Sequence, residues 1–187
     1  ISQADNLVVN DLNSRTDVFV HDRDLDNNGI FDETFVGATK TERVSIKTGG
    51  TEGDNDSGDG YYARNAAISN DGRYVAFMSA ATNLVDGDTN GSDDIFLHDR
   101  NTNETTRVTY NSLTSQEADW DSFHPNISGD GRYVSFTSGA TNLIDTVPGE
   151  GLDTNNQDDI FVYEVASGNI VRVNVHTGAA VTDQGLV

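Results

Sequence analysis

The chain repeats itself, and that repetition restricts the fold more than any other feature it has. Ile68-Ser69-Asn70-Asp71-Gly72-Arg73-Tyr74-Val75 returns as Ile127-Ser128-Gly129-Asp130-Gly131-Arg132-Tyr133-Val134, 59 residues later. Ala81-Thr82-Asn83-Leu84-Val85 returns as Ala140-Thr141-Asn142-Leu143-Ile144, and an earlier copy reads Ala4-Asp5-Asn6-Leu7-Val8. A run of Asp followed by apolar residues starts at Asp17, Asp94 and Asp159. A last strand follows each time, around Arg43-Val44, Arg107-Val108 and Arg172-Val173. Self-similarity at this period means one supersecondary unit stacked on copies of itself.

The unit reads as four strands. The first covers 66–69, the second 74–79, the third 95–99 and the fourth 105–109. The apolar runs are short, β-branched or aromatic, and bounded by Gly, Asn, Asp or Ser, which is strand punctuation. No window carries a 3.6-residue apolar period. Asp71-Gly72 between two strands is a hairpin signal, because the turn needs a positive φ that Gly supplies. The expected fold is therefore all-β, built of β-propeller blades in about three four-stranded repeats. Repeat 1 is partial over 1–48, repeat 2 covers 49–110, repeat 3 covers 111–175, and 176–187 starts a further unit. A unit near 60 residues exceeds the usual blade period of about 40 to 50. The excess falls in two polar segments, 49–64 and 111–125, expected as loops.

Charge excludes several functions. Lys plus Arg number 11 against 31 Asp plus Glu, a net charge of −20. Nucleic acid needs basic partners for its phosphates, so it is not an expected partner. An anionic membrane surface is disfavoured likewise, and no apolar run is long enough for a membrane helix. The absence of cysteine removes disulfide, iron–sulfur and thiolate-zinc chemistry. Asp outnumbers Glu 24 to 7. Asp favours caps, turns and metal loops over helix faces, so the acid belongs in loops.

The run Ile-Ser-x-Asp-Gly-Arg-Tyr-Val-x-Phe-x-Ser, then Thr-Asn-Leu-Val/Ile, then Asp-Ile-Phe, resembles the TolB-like propeller repeat, also called the WD40-like or PD40 repeat. The resemblance covers nearly the whole chain. It implies propeller blades and says little about activity, since such folds host translocation accessories, peptidase propellers, lyases and binding modules. Three blades do not close a ring, which takes four to eight. The chain begins mid-repeat, as a piece of a longer protein would. The competing expectation is self-association, two three-blade halves completing one ring.

One acidic insertion occurs in the first repeat alone. Taking Asp22 as position 1, Asp24 falls at 3, Asp26 at 5, Asn28 at 7 and Glu33 at 12, with Asp32 as an alternative closing ligand. These are ligand positions of an EF-hand-type loop, in which alternate residues point inward at a hard cation wanting six to eight oxygens. Position 6 is Asn27 rather than Gly; Asn tolerates the left-handed conformation better than most residues. The loop has no flanking helices and resembles dockerin-like and thrombospondin-like calcium loops. Calcium is the expected cofactor, against a solvated acidic turn.

A second pattern recurs in all three copies: Asp at 11, 88 and 153, Asn at 13, 90 and 155, and Asp at 17, 94 and 159. Two readings stand. Each blade binds a cation, with Asp88, Asn90, Asp93 and Asp94 as its ligands in repeat 2, or the residues form an Asx-turn network. Asp54, Asp56 and Asp59 read as a flexible solvated loop.

No catalytic motif stands out. There is no Gly-x-Ser-x-Gly elbow, Walker loop or His-Glu-x-x-His. His21 and His98 share a repeat position occupied by Tyr163 in the third copy, which reads as blade packing. His124 and His176 carry no partner motif. Trp120, Phe123, Tyr61, Tyr62 and Tyr110 lie in or beside the long segments, where they either stack on a ligand or cap the blade cores. The expected function is a non-catalytic, calcium-binding, extracellular or periplasmic bacterial module that binds protein or carbohydrate or builds an assembly. The alternative is a calcium-dependent propeller enzyme, a lyase or hydrolase acting on polysaccharide. Arg43, Arg73, Arg107, Arg132 and Arg172 sit at repeated strand positions, which favours structural roles over substrate binding.

Overall fold

In the computed structural model, residues 1–58, 66–111, 113–144 and 157–174 are described. Among them every regular element is a strand and no helix occurs. β1 (Phe19–Asp22) pairs with β2 (Lys40–Arg43) as an antiparallel two-stranded sheet. β3 (Ala66–Ile68), β4 (Tyr74–Ser79), β5 (Asp94–Asp99) and β6 (Glu104–Arg107) form a four-stranded antiparallel meander in chain order. A short hairpin follows, β7 (Tyr110–Asn111) with β8 (Gln116–Glu117). β9 (Ser122–Ile127), β10 (Tyr133–Ser138), β11 (Asp159–Glu164) and β12 (Ile170–Arg172) then repeat the meander.

These meanders are two complete propeller blades, and β1–β2 supply the third and fourth strands of another. The correspondence is residue by residue. Ser79 opposes Asp94 and Ser138 opposes Asp159 in the blades, and Ser2 bridges Asp17 in the half-blade. Phe77 opposes Phe96 and Phe136 opposes Phe161. Both pairs stack, at 5.8 and 5.5 Å between ring centroids, and all four rings are buried.

The hairpin turns form as the sequence predicts. Gly72 and Gly131 have φ of 70° and 71°, and each donates its N–H to a serine carbonyl three residues back, at 2.9 Å. Gly131 has a second reason to be glycine. A Cβ there would lie 2.7 Å from the Tyr74 ring of the preceding blade.

The blades pack face to face. Ala76, Met78, Ile95, Leu97 and Val108 of the first full blade meet Ile127, Val134, Phe136, Phe161 and Leu143 of the second in one buried cluster. On its other face, Val75, Phe77, Phe96 and Leu84 meet Val18 and Val44 of the half-blade. The alternation of each strand thus serves two interfaces, which is why both faces of β4 and β5 are apolar.

The segment 111–125 corrects the expected loop. It contains the β7–β8 hairpin and the start of β9, so His124 and Pro125 lie in a strand. β9 ends its sheet, an edge where a proline costs no ladder bond. Its register against β10 shifts between Ser135 and Thr137, and His124 has a φ of 56°. This irregularity is a bulge that the sequence pattern does not announce.

Candidate functional site

Three arginines organise the acidic loops. Arg43 ends β2, and its Nη1 lies 2.9 Å from Asp11 and 3.2 Å from Asp17, while Nη2 lies 2.5 Å from Glu52. Arg107 ends β6 and repeats this set on Asp88 at 3.1 Å, Asp94 at 3.5 Å and Glu117 at 2.8 Å. Arg172 ends β12 and lies 2.9 Å from Asp159. The three guanidinium-bearing side chains are all nearly buried. Asn13 and Asn90 complete the sets by donating to Asp17 at 3.0 Å and Asp94 at 3.1 Å. A hydroxyl adds to each aspartate, Ser45 to Asp17 and Thr109 to Asp94, and the Asn174 amide does so for Asp159.

Of the residues considered as blade cation ligands, Asp88 and Asp94 converge on Arg107, and Asn90 binds Asp94. Asp93 is not in this set of ion pairs; its backbone N–H donates to Asp121 at 3.0 Å. The Asx-turn geometry is also present, with Asn90 Oδ1 accepting from Ser92 N–H at 3.1 Å. A side-chain cation, the Arg107 guanidinium, therefore sits among these acids. The corresponding residues 153 and 155 lie outside the described residues.

The glutamates in these sets expose a repeat that sequence reading missed. Glu52-Gly53-Asp54-Asn55-Asp56-Ser57 matches Glu117-Ala118-Asp119-Trp120-Asp121-Ser122. Asp54 accepts from the Thr82 N–H at 2.7 Å, and Asp119 from the Thr141 N–H at 2.7 Å. Asn83 and Asn142 donate to the carbonyls of Glu52 and Glu117, each at 2.8 Å. Asp56 accepts from Thr16 N–H, as Asp121 does from Asp93 N–H. The segment ties each blade to the one before it. The expectation of a solvated loop at Asp54 and Asp56 is thus corrected, and Asp59 lies outside the described residues. The signal was in the sequence but is short, and two of its six positions change, Gly53 to Ala118 and Asn55 to Trp120.

Asp94 carries a pH consequence. Burial pushes its carboxyl up to about 6, against the pull of Thr109 and Arg107. The folded state then holds a proton that the unfolded chain has lost, over the range from about pH 4 to 6. Stability from this group is full below about pH 4 and falls as pH rises through 6. Asp94→Asn should therefore gain on the native protein by up to about 3 kcal/mol between pH 4 and 7. Urea unfolding at several pH values measures this; parallel pH profiles for the two proteins would show that Asp94 titrates normally.

The inserted acidic loop has a definite geometry. Asp24 Oδ1 accepts the Asn28 N–H and its Oδ2 the Gly29 N–H, both at 2.9 Å. Asn28 Nδ2 donates to Asp26 at 2.9 Å and to Glu33 at 2.8 Å. Asn27 and Gly29 have φ of 57° and 83°. Asp32 is taken by Arg23, whose Nε donates to it at 2.9 Å.

Asp22 ends β1 and bonds the first residues of the insertion. It accepts the Asp24 N–H as Asp99, at the same repeat position, accepts the Asn101 N–H. The closed turn thus runs from Asp24, with Asp26 third, Asn28 fifth and Gly29 sixth. Gly29 thus stands at the bend, with its positive φ. Among the described residues no group of three or more Asp, Glu or His side chains is placed to hold a metal ion. The carboxylates of the loop are instead turned onto its own amides. Ile30, Phe31, Phe35 and Val36 of the same insertion are exposed.

Three of the four histidines lie among the described residues. His98 is buried and bonds Thr105 through Nδ1 at 2.9 Å, and burial lowers its pKa. His21 makes the same bond to Thr41 at 2.8 Å. His124 packs edge-on against Phe123 at 5.0 Å. His176 lies outside the described residues. Tyr110 packs beside the Arg107 guanidinium, and Trp120 is 64% exposed above Gly139. Tyr61 and Tyr62 lie outside the described residues.

No protein-family model matches the chain, and no curated protein matches it. Solved structures do. TolB from Acinetobacter baumannii is similar at 18% identity and a TM-score of 0.40, over 75% of this chain and 25% of that one. A TolB assigned from Agrobacterium tumefaciens is similar at 17% identity and a TM-score of 0.41, over 71% and 36%. The tricorn protease is similar at 16% identity and a TM-score of 0.37, over 67% and 10%. The chain spans about a third or less of the length of each.

Proposed function

We propose that this chain is a protein-binding propeller module whose inserted loop, 22–36, is the contact element and is organised by calcium. The observation that carries the reading is the loop itself. It interrupts one repeat only, it closes on Asp24 with a glycine at its sixth position, and it exposes Ile30, Phe31, Phe35 and Val36. Blade residues that hold the fold recur in every copy; an apolar, exposed insertion present once serves something other than the fold.

The donor set fits calcium. Asp24, Asp26 and Asn28 side chains, with Glu33 or Asp32, are all hard oxygen donors. Binding would draw Asp24 and Asp26 off the loop's own amides and relieve the repulsion between them. The twelfth position counted from Asp24 is Phe35, so the bidentate glutamate of a tight site is missing. Affinity should therefore be in the range of about 0.1–1 mM, which suits an extracellular or periplasmic setting.

Calcium titration by calorimetry on chelator-treated protein tests this. One saturable site is expected that magnesium at equal ionic strength does not fill. At tenfold over a 1 mM Kd, it should add about 1.4 kcal/mol of stability. Asp24→Asn with Asp26→Asn should abolish that site. A response equal for both ions and unchanged by the substitutions would reduce the loop to an acidic turn.

A further inference from the structure

We infer that the Asn28-Gly29 step of the inserted loop is a self-modification site, where Asn28 loses ammonia and becomes aspartate or isoaspartate. The inference does not rest on the calcium reading. The chain has two Asn-Gly steps, Asn28-Gly29 and Asn90-Gly91. In such a step the glycine nitrogen can close on the asparagine side-chain carbon, because no Cβ hinders its approach. At Asn28 the surrounding groups assist this closure. The nucleophile is the Gly29 nitrogen, whose N–H donates to Asp24 Oδ2 at 2.9 Å. Asp24 is thus placed to take the amide proton. Its other oxygen accepts the Asn28 N–H at 2.9 Å, which fixes the carboxylate in place. The carbon attacked is Asn28 Cγ, whose Oδ1 accepts the Ile30 N–H at 2.7 Å. That donor stabilises the charge that gathers on Oδ1 as the ring closes. Asn28 and Gly29 are exposed, and a Cβ at Gly29 would meet nothing within 4 Å, so water reaches the product.

The chemistry balances with water alone. The bond from Gly29 N to Asn28 Cγ forms and the Cγ–Nδ2 bond breaks. The Gly29 proton passes through Asp24 to the departing amino group, which leaves as ammonia. One water then opens the cyclic imide. Cleavage at Cγ gives an aspartate; cleavage at the main-chain carbonyl of Asn28 gives an isoaspartate and a longer main chain. Either product puts a carboxylate where Nδ2 now donates to Asp26 at 2.9 Å and Glu33 at 2.8 Å. Repulsion replaces two hydrogen bonds, and the turn opens beside Ile30 and Phe31. Asn90 is the internal comparison. It has the same turn, its Oδ1 accepting from the Ser92 N–H at 3.1 Å. Its Nδ2, however, is tied to Asp94 at 3.1 Å and to the Ala118 carbonyl at 3.0 Å. Losing that amide would break into the Arg107 clamp, whereas the partners of Asn28 all belong to the loop itself.

The test incubates chain 1–187 at neutral pH with a chelator, beside a synthetic peptide of residues 26–31, Asp-Asn-Asn-Gly-Ile-Phe, which lacks Asp24. Peptide mapping by mass spectrometry reads the one-dalton gain at each asparagine, and labelling by an isoaspartyl methyltransferase reads the isoaspartate. Asn28 should convert at least tenfold faster than Asn90 in the same molecule, and faster than its counterpart in the peptide. Asp24→Asn should slow the conversion at Asn28 at least fivefold. The inference is overturned if Asn28 gains no mass, if it converts no faster than in the peptide, or if Asp24→Asn leaves its rate unchanged. The comparison with the peptide needs no substitution, so the result stands whatever that variant does to the loop.

Discussion

Replacing Arg107 by leucine should cost about 3–5 kcal/mol, a large fraction of the about 5–15 kcal/mol that stabilises a folded domain. The guanidinium is 5% exposed and stands among Asp88, Asp94 and Glu117. Removing it leaves carboxylates buried together without a cation, and the penalty is their desolvation and mutual repulsion rather than one lost bond. Two controls separate this from a general loss of charge. Arg73→Leu removes an arginine of the same repeat whose side chain is 38% exposed, and should cost far less, because solvent screens its pair with Asp99. Asp88→Asn with Asp94→Asn in the Arg107→Leu background should restore much of the loss, because the uncompensated charges are gone. The deficit should also shrink as pH falls toward 4, where the acids protonate. Urea unfolding gives all four values; a cost for Arg107→Leu no larger than for Arg73→Leu would refute the clamp.

These clamps show how far the sequence could be read. The repeat, the four strands of each unit and the Asp-Gly turns were legible because each has a local cause: period-two apolar runs and a turn needing positive φ. The recurrence of Asp88, Asn90 and Asp94 was legible too, and so was the structural bent of the arginines. What was not legible is that Arg107 closes on those same acids, since they are brought together only by the pairing of β5 with β6. Glu117 arrives from yet another segment, the second strand of the β7–β8 hairpin. The inserted loop shows a different limit. Alternate acids can be counted from Asp22 or from Asp24, and Asp22 also makes the local bond that Asp99 makes in a blade without an insertion. Only the amide bonds of Asn28 and Gly29 to Asp24 locate the start of the turn. The segment 49–57 was misread because composition speaks for a solvated loop. Its hydrogen bonds run to Thr16, Asn83 and Thr82, and distant partners leave no trace in composition.

Truncating the aromatic pair at the centre of a blade should be as costly as removing the clamp, for an unrelated reason. Phe77 is 0% exposed, stacked on Phe96, and part of the cluster shared with the half-blade. Phe77→Ala removes a ring from a packed interior and leaves a cavity, a loss of about 3–5 kcal/mol. Phe136→Ala in the next blade should cost about the same, since Phe136 stacks on Phe161 and is 1% exposed. Unlike the arginine variant, neither loss should change between pH 4 and 7, because no titrating group is uncovered. The two should differ in what they loosen. Phe77 lies at the interface with β1–β2, which has half the ladder of a full blade. Phe136 lies between two complete blades. Hydrogen exchange in Phe77→Ala should therefore quicken first in β1 and β2, while in Phe136→Ala it should quicken in both full sheets together. Equal and global loss in the two variants would mean the half-blade is bound into the cooperative unit as firmly as the complete ones. The repeat would then behave as a single core rather than as stacked blades with separate interfaces.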